Sequence, residues 1–295
     1  MGHRFLAPTL TIAAVAGLVS LPAAPAAAQG AKATSPAWSP PRTPDGQPDV
    51  QGFFKVQLHP YMSVTLERLD KRFGDLGVQR PAERRGAPDD DSAGGVVDPA
   101  DGKIPYQPWA RAKREDILSN YLNPTPEYLD PVSRCLPPGI PRSFFVNRSA
   151  FQILQPPGYV VFLYEYENLS RIVPLDGRPR MGPDIKQWMG DARGHWEGST
   201  LVVDATNFND RSWLDLTGDF HSDALHIVER WTFADSDRIT FEATFEDGKV
   251  FARPWKLAAE FNRVTEPHFE LLEFACWEGE RNAESILSRR SKGKP

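Results

Sequence analysis

Two carboxylates, together with a few histidines and arginines, carry most of the chemistry that this residue order allows. The segment His195-Trp196-Glu197 puts an imidazole and a carboxylate two residues apart. In a strand such residues share one side and Trp196 takes the other. That arrangement makes His195 a proton-transfer group oriented by Glu197, or makes the pair two ligands for a metal. The second carboxylate is Glu229, which alternates with Ile227, Trp231 and Phe233 on what reads as one inward face of a strand. A carboxylate turned into an apolar interior must be paired, hydrogen-bonded or protonated, because desolvation disfavours its charge. Such a group suits general acid or base work. The structural alternative is an inward arginine partner, Arg171 or Arg253.

Two further histidines, His221 and His226, bracket Ser222-Asp223-Ala224-Leu225. His221 falls at the mouth of a strand, where functional groups collect on loops held by a rigid scaffold. By strand parity His226 faces away from Glu229, and His268, after Pro267, is expected at the surface. Glu165 is a second candidate acid or base, with Arg171 or Arg230 to stabilise developing negative charge. Glu197, Asp204, Asn207, His226, Arg230 and Trp231 complete the candidate ligand contacts. A zinc set could be drawn from His195, His221, His226, Glu197 and Asp204, but no spacing matches an established zinc pattern, so no metal is expected. The Gly-x-Ser-x-Gly elbow, the phosphate-cradling glycine loop and the dinucleotide fingerprint are all missing. Serine-esterase and nucleotide-dependent hydride chemistry are therefore disfavoured, and no cofactor is expected.

These residues need a scaffold, and from Phe151 onward the sequence supplies one. Strands are expected at 151–155, 159–167, 170–175, 194–197, 200–208, 225–233, 238–246, 250–257 and 269–277, separated by turns such as Asp176-Gly177, Gly198-Ser199 and Asp247-Gly248. Short links imply antiparallel neighbours. So many strands curl, giving a mainly β fold, an antiparallel barrel or strongly curved sheet. Before this meander, residues 49–150 form an irregular and helical lead-in. It has a first strand at 50–56, helices at 63–80 and 108–122, a polar loop at 83–103 and a proline-rich connection at 135–142. Residues 29–48, rich in Ala, Ser and Pro, read as an extended arm before a single domain over 49–295.

The first 28 residues, with Arg4, an apolar stretch and Ala26-Ala27-Ala28, read as a secretory signal peptide. The rest is expected in the periplasm or the medium, free of the membrane. Cys135 and Cys276 are the only cysteines, and in an oxidising compartment they are expected to form one disulfide. With 34 basic and 39 acidic residues the chain lacks the basic face that a nucleic-acid partner requires. Its 8 Trp, 7 Tyr and 17 Phe could line an apolar pocket, although most must serve as core. The oligomeric state is left open.

The run Met189-Gly190-Asp191-Ala192-Arg193-Gly194-His195-Trp196-Glu197-Gly198-Ser199-Thr200-Leu201-Val202-Val203-Asp204-Ala205-Thr206-Asn207-Phe208 resembles the signature of a family of exported proteins from proteobacteria and acidobacteria. Arg134 to Arg142, Asp176-Gly177-Arg178, His221-Ser222 and Glu273-Phe274-Ala275-Cys276 extend the likeness over most of the chain. The sequence departs from that pattern at Ser199, where Asp is usual, and at Trp277, where His is more frequent. The resemblance implies a secreted calycin-like β fold and no particular activity. The residues themselves suggest a cofactor-independent lyase, isomerase or hydrolase that moves protons between a carboxylate and a histidine. Its substrate would be a small apolar or aromatic molecule inside a β cavity. A lipocalin-like carrier and a metal-dependent hydrolase are the alternatives.

Overall fold

The computed structural model describes residues 38–57, 65–68, 94–121, 124–145, 149–274 and 276. The leader, the arm up to residue 37, most of the helix expected at 63–80, the loop up to residue 93, and Trp277 lie outside them.

Among the described residues ten strands form: β1 Gly52–Val56, β2 Val96–Asp98, β3 Ala150–Leu154, β4 Tyr159–Tyr164, β5 Ser170–Pro174, β6 Asp191–Glu197, β7 Thr200–Thr206, β8 His226–Phe233, β9 Arg238–Glu246 and β10 Trp255–Arg263. Nine run in the antiparallel order β5-β4-β3-β1-β10-β9-β8-β7-β6 and nearly close a barrel, with β2 added on β10. The strict apolar alternation of β8 and β9 drives this. Along β8, Ile227, Glu229, Trp231 and Phe233 all point inward, opposite an inward set on β9 that starts at Ile239. Helix α1, Pro108–Ser119, begins with proline at its first turn, where a missing N–H costs nothing. The short helix α2, Arg142–Phe145, is fastened by buried Arg142, whose Nη1 and Nη2 donate to Asp130 Oδ1 and Oδ2 at 2.8 and 2.6 Å.

Phe144 of α2 enters the barrel. Its ring lies 5.6 Å from Phe151 of β3, 5.2 Å from Tyr164 of β4 and 4.8 Å from Trp231 of β8, with Phe241 of β9 and Phe261 of β10 also in contact. Among the described residues aromatic rings pack the interior around Phe144.

The two path ends, β5 and β6, meet along a seam without joining the ladder. Gly194 permits the approach, since a Cβ there would sit 2.7 Å from Val173 Cγ1 and 2.9 Å from Leu175 Cδ2. Three expected elements differ. Residues 38–48 pack on the barrel instead of forming a free arm: Gln155 Nε2 donates to Gln47 Oε1 at 3.2 Å and to Pro48 O at 2.9 Å. The ninth ladder strand begins at Trp255 rather than Val250, because Asp247 accepts from the Val250 and Phe251 amides through its carbonyl and extends the turn. Residues 264–274 add no strand, as β10 already has β9 on one edge and β1 with β2 on the other.

Candidate functional site

Glu229 and Arg171 find each other. Arg171 Nη1 donates to Glu229 Oε2 at 2.9 Å, and Nη2 stands 2.7 Å from Oε1. Trp231 Nε1 donates to the same Oε2 at 3.1 Å. Residue exposures of 2% and 0% show a pair fully removed from water. Because Arg171 belongs to β5 and Glu229 to β8, the pair reaches across the interior and ties one seam strand to the wall beyond the other. Tyr164 beside it is held neutral, since burial pushes its phenol far above the ordinary value.

The histidine expected to exchange protons with Glu229 is elsewhere. Trp196 takes the inward side of β6 and packs 6.0 Å from Phe233, which turns His195 and Glu197 to the outer wall. There His195 Nε2 lies 3.2 Å from Glu197 Oε1, and Arg230 Nη2 donates to Glu197 Oε2 at 2.7 Å. His226 is likewise outside, between Asp204 at 2.9 Å and Glu246 at 3.4 Å. Trp231, a candidate ligand contact, lies in the core with no exposed surface. Glu165 follows β4 and accepts from the Leu272 amide at 3.2 Å, apart from Glu229. The candidate groups His195, His221, Glu165 and Glu229 therefore lie at separate places in the fold. A two-residue period fixes which residues share a side, not which side faces in.

A large concavity lies outside the barrel. A cleft of about 1130 Å³ lies over the β5–β6 seam, roofed by the connection 175–190. Its apolar lining includes Val161, Ile172 and Met181, the latter two 57% and 41% exposed. Its charged lining is lopsided: Arg178, Arg180, Lys186 and Arg193 against Asp191. Arg171 also borders the cleft, but its guanidinium is turned inward. Arg178 stacks 5.0 Å over the Tyr159 ring and donates to the phenol at 2.7 Å. The same guanidinium, by hydrogen bonds and charge, holds Asp176 down to about 2.

The connection is pinned on both sides. Arg193 donates to Arg178 O at 3.0 Å and Pro179 O at 2.6 Å, and also contacts Asp191. Arg180 donates to Asp191 O and Asp204 Oδ1, both at 2.6 Å. Asp191 Oδ2 accepts from the Met181 amide at 2.8 Å, and Asn207 Nδ2 donates to Gly182 O at 3.0 Å. Gly190 adds a left-handed turn, φ +71°, with Phe208 packed where a side chain would go. Asp191, Arg193, Asp204 and Asn207 all belong to the 189–208 run, so much of that run builds the cleft's roof. Sequence reasoning placed no site at 176–193, although four cations around a Pro- and Gly-rich link were a visible signal.

Behind the cleft wall lies a buried serine–histidine pair. Ser212 Oγ is 3.0 Å from His221 Nε2, and His221 Nδ1 is 2.9 Å from Ser222 O. A carbonyl only accepts, so Nδ1 carries the proton and Nε2 accepts from the hydroxyl. Burial pushes the imidazole pKa down, keeping it neutral. Gly139 separates the pair from the cleft: a Cβ on it would stand 2.8 Å from Ser212 Oγ and 3.2 Å from the carbonyl of Trp188, a lining residue. Cys135 and Cys276 form the expected disulfide. No group of three or more His, Cys, Asp or Glu side chains gathers as a metal site among the described residues. No protein-family model, curated protein or solved structure matches the chain.

Proposed function

We propose that this protein binds a small organic anion with an apolar body, in the cleft over the seam and outside the barrel. The observation that carries the reading is the lining itself, where four cationic side chains and one carboxylate surround exposed aliphatic surface. Apolar burial supplies affinity and a few charged groups fix orientation, as in small-molecule sites generally. The leader-like first residues, the likeness of 189–208 to exported proteins and the disulfide support placing this activity in the periplasm or the medium. The test is calorimetric titration with a panel of aromatic and aliphatic carboxylates at low and high salt. At least one is expected to bind, more weakly in salt and at least 10-fold more weakly to the double variant Arg178→Ala/Lys186→Ala, losing two charge-assisted contacts. If no member binds, or if the variant binds as well as the parent, this reading fails.

A hydrolase is the second reading, and the Ser212–His221 geometry favours it, since a neutral base hydrogen-bonded to a hydroxyl is the arrangement that activates a serine. A fluorophosphonate probe should then label the protein at Ser212 and leave Ser212→Ala unlabelled. A parent protein that stays unlabelled removes hydrolysis at this pair.

A further inference from the structure

At the barrel end where β8 begins and β9 ends, three carboxylates are buried around one guanidinium. Asp219 Oδ1 accepts from Arg114 Nε and, at 3.0 Å, from Tyr106 Oη. Asp215 Oδ1 accepts from the Thr217 and Asp219 amides, both at 3.0 Å, and Asp215 Oδ2 from the Leu66 amide at 3.1 Å. Glu67 Oε1 accepts from the Ile104 amide at 2.8 Å, with Lys103 Nζ 3.8 Å from Oε2. Glu67, Asp215 and Asp219 are 7%, 3% and 0% exposed. The cluster thereby joins three stretches far apart in sequence: 65–67, the segment 103–114 leading into α1, and the loop 212–221.

Three negative charges cannot share this space with one Arg114 at low cost, because like charges removed from water repel strongly. Burial, and then the charge of Asp219, push Asp215 well above the ordinary range and Glu67 up to about 7. Burial would raise Asp219 too, but Arg114 and the hydrogen bonds from its neighbours hold it low. The other charged or titratable groups facing the cluster are Lys103, Tyr106 and Tyr121, with Arg142 and Asp130 farther out. Among the described residues Arg114 Nη1 and Asp219 Oδ2 are buried without a hydrogen-bond partner.

We propose that this cluster is a pH-operated latch: at and below neutrality it fastens 65–67 and α1 to the loop 212–221, and in alkali it lets them loosen. The loop it holds also carries Ser212 and His221, so loosening would reach the wall behind the cleft. The proposal does not depend on any ligand.

Hydrogen exchange followed by mass spectrometry at pH 5.5, 7.0 and 8.5, corrected for the intrinsic rate, tests this. Peptides covering 104–121 and 212–221 are expected to lose roughly 10- to 30-fold protection between pH 5.5 and 8.5, the change that linkage gives for one carboxyl moved from 4.5 to about 7. Peptides from β7, β8 and β9 are expected to remain the better protected at every pH, losing only what the fall in global stability requires. Glu67→Gln should reduce the response. Equal protection at both pH extremes, or latch peptides that exchange no faster than the barrel strands at pH 8.5, overturns the latch, and the parent protein alone decides this if the variant does not fold. A Glu67→Gln protein with the full parental response removes Glu67 from it.

Discussion

Glu229 and Arg171 share a site where neither charge tolerates solitude. In an interior of rings, removing one partner leaves the other ionised without water, a cost of about 3–5 kcal/mol, whereas replacing both with apolar groups is often neutral. Glu229→Gln is therefore expected to lower stability by about that amount, and Arg171→Met/Glu229→Leu to recover most of it. Urea midpoints at fixed pH measure both, and a double variant no better than the single would show that the pair itself stabilises the barrel. His195→Ala, on the wet outer wall, is expected to shift stability by no more than about 0.5 kcal/mol. A larger loss would give the His195–Glu197–Arg230 chain more weight than its exposure allows. The sequence made the inward turn of Glu229 and the outward turn of His226 legible, because eight residues of β8 alternate without interruption. Only three residues carried the orientation of His195. There the burial of Trp196 decided, since an indole has about 150–250 Å² to hide, which outweighs any gain from turning an imidazole inward.

Elements of this fold meet most delicately at the seam, where β5 and β6 approach without a shared ladder. Gly194→Val forces methyl groups into the space of Val173 and Leu175, and overpacking of this kind costs about 1–3 kcal/mol. The loss should appear as a lower melting midpoint. Arg193→Ala acts differently, removing the donors that hold Arg178 O and Pro179 O. It is expected to speed tryptic cleavage within 178–187 several-fold while shifting the melting midpoint by only a degree or two. Unchanged cleavage would mean that Arg180 and Asp191 suffice to pin the roof. Strands closed by Asp-Gly and Gly-Ser turns could be read from the sequence, since their chemistry is local. The roof could not, because Arg193 and Arg180 bond largely to backbone carbonyls, which no residue pattern marks. The packing of 38–48 was hidden for the same reason: Gln155 reaches the Pro48 carbonyl over a separation of 107 residues.

The molecule as a whole depends on two long-range restraints: its disulfide and its balance of buried protons. Cys135 and Cys276 are 141 residues apart, and on a chain-entropy account closing such a loop contributes about 4–5 kcal/mol. Cys135→Ser/Cys276→Ser is expected to lose up to that amount in chemical denaturation, with the parent protein matching it under reductant. The bond also fixes the segment before Cys276, in which the Phe274 ring packs tilted at 4.5 Å on Tyr166 and its carbonyl accepts from Asn168 at 2.6 Å. Proton balance sets the pH profile. Burial raises Glu67 and Glu167, each to about 7, and raises Asp215 as well. A raised carboxyl binds its proton more tightly when folded, so its contribution is complete below the unfolded value of 4.5 for glutamate and disappears as pH climbs through 7. His221 works in the opposite sense. Its lowered pKa means that the unfolded chain takes up a proton below 6.5, so it costs stability in acid and nothing above that value. Between pH 5 and 6.5 one histidine opposes three carboxyls, and above 6.5 the carboxyls act alone. The melting midpoint is therefore expected to fall from pH 5.5 to 8.5, most steeply just above 6.5. Glu67→Gln/Glu167→Gln should flatten that decline, because an amide has no proton to lose. A midpoint that holds steady or rises over the same range would mean that these carboxyls are ionised in the folded protein throughout.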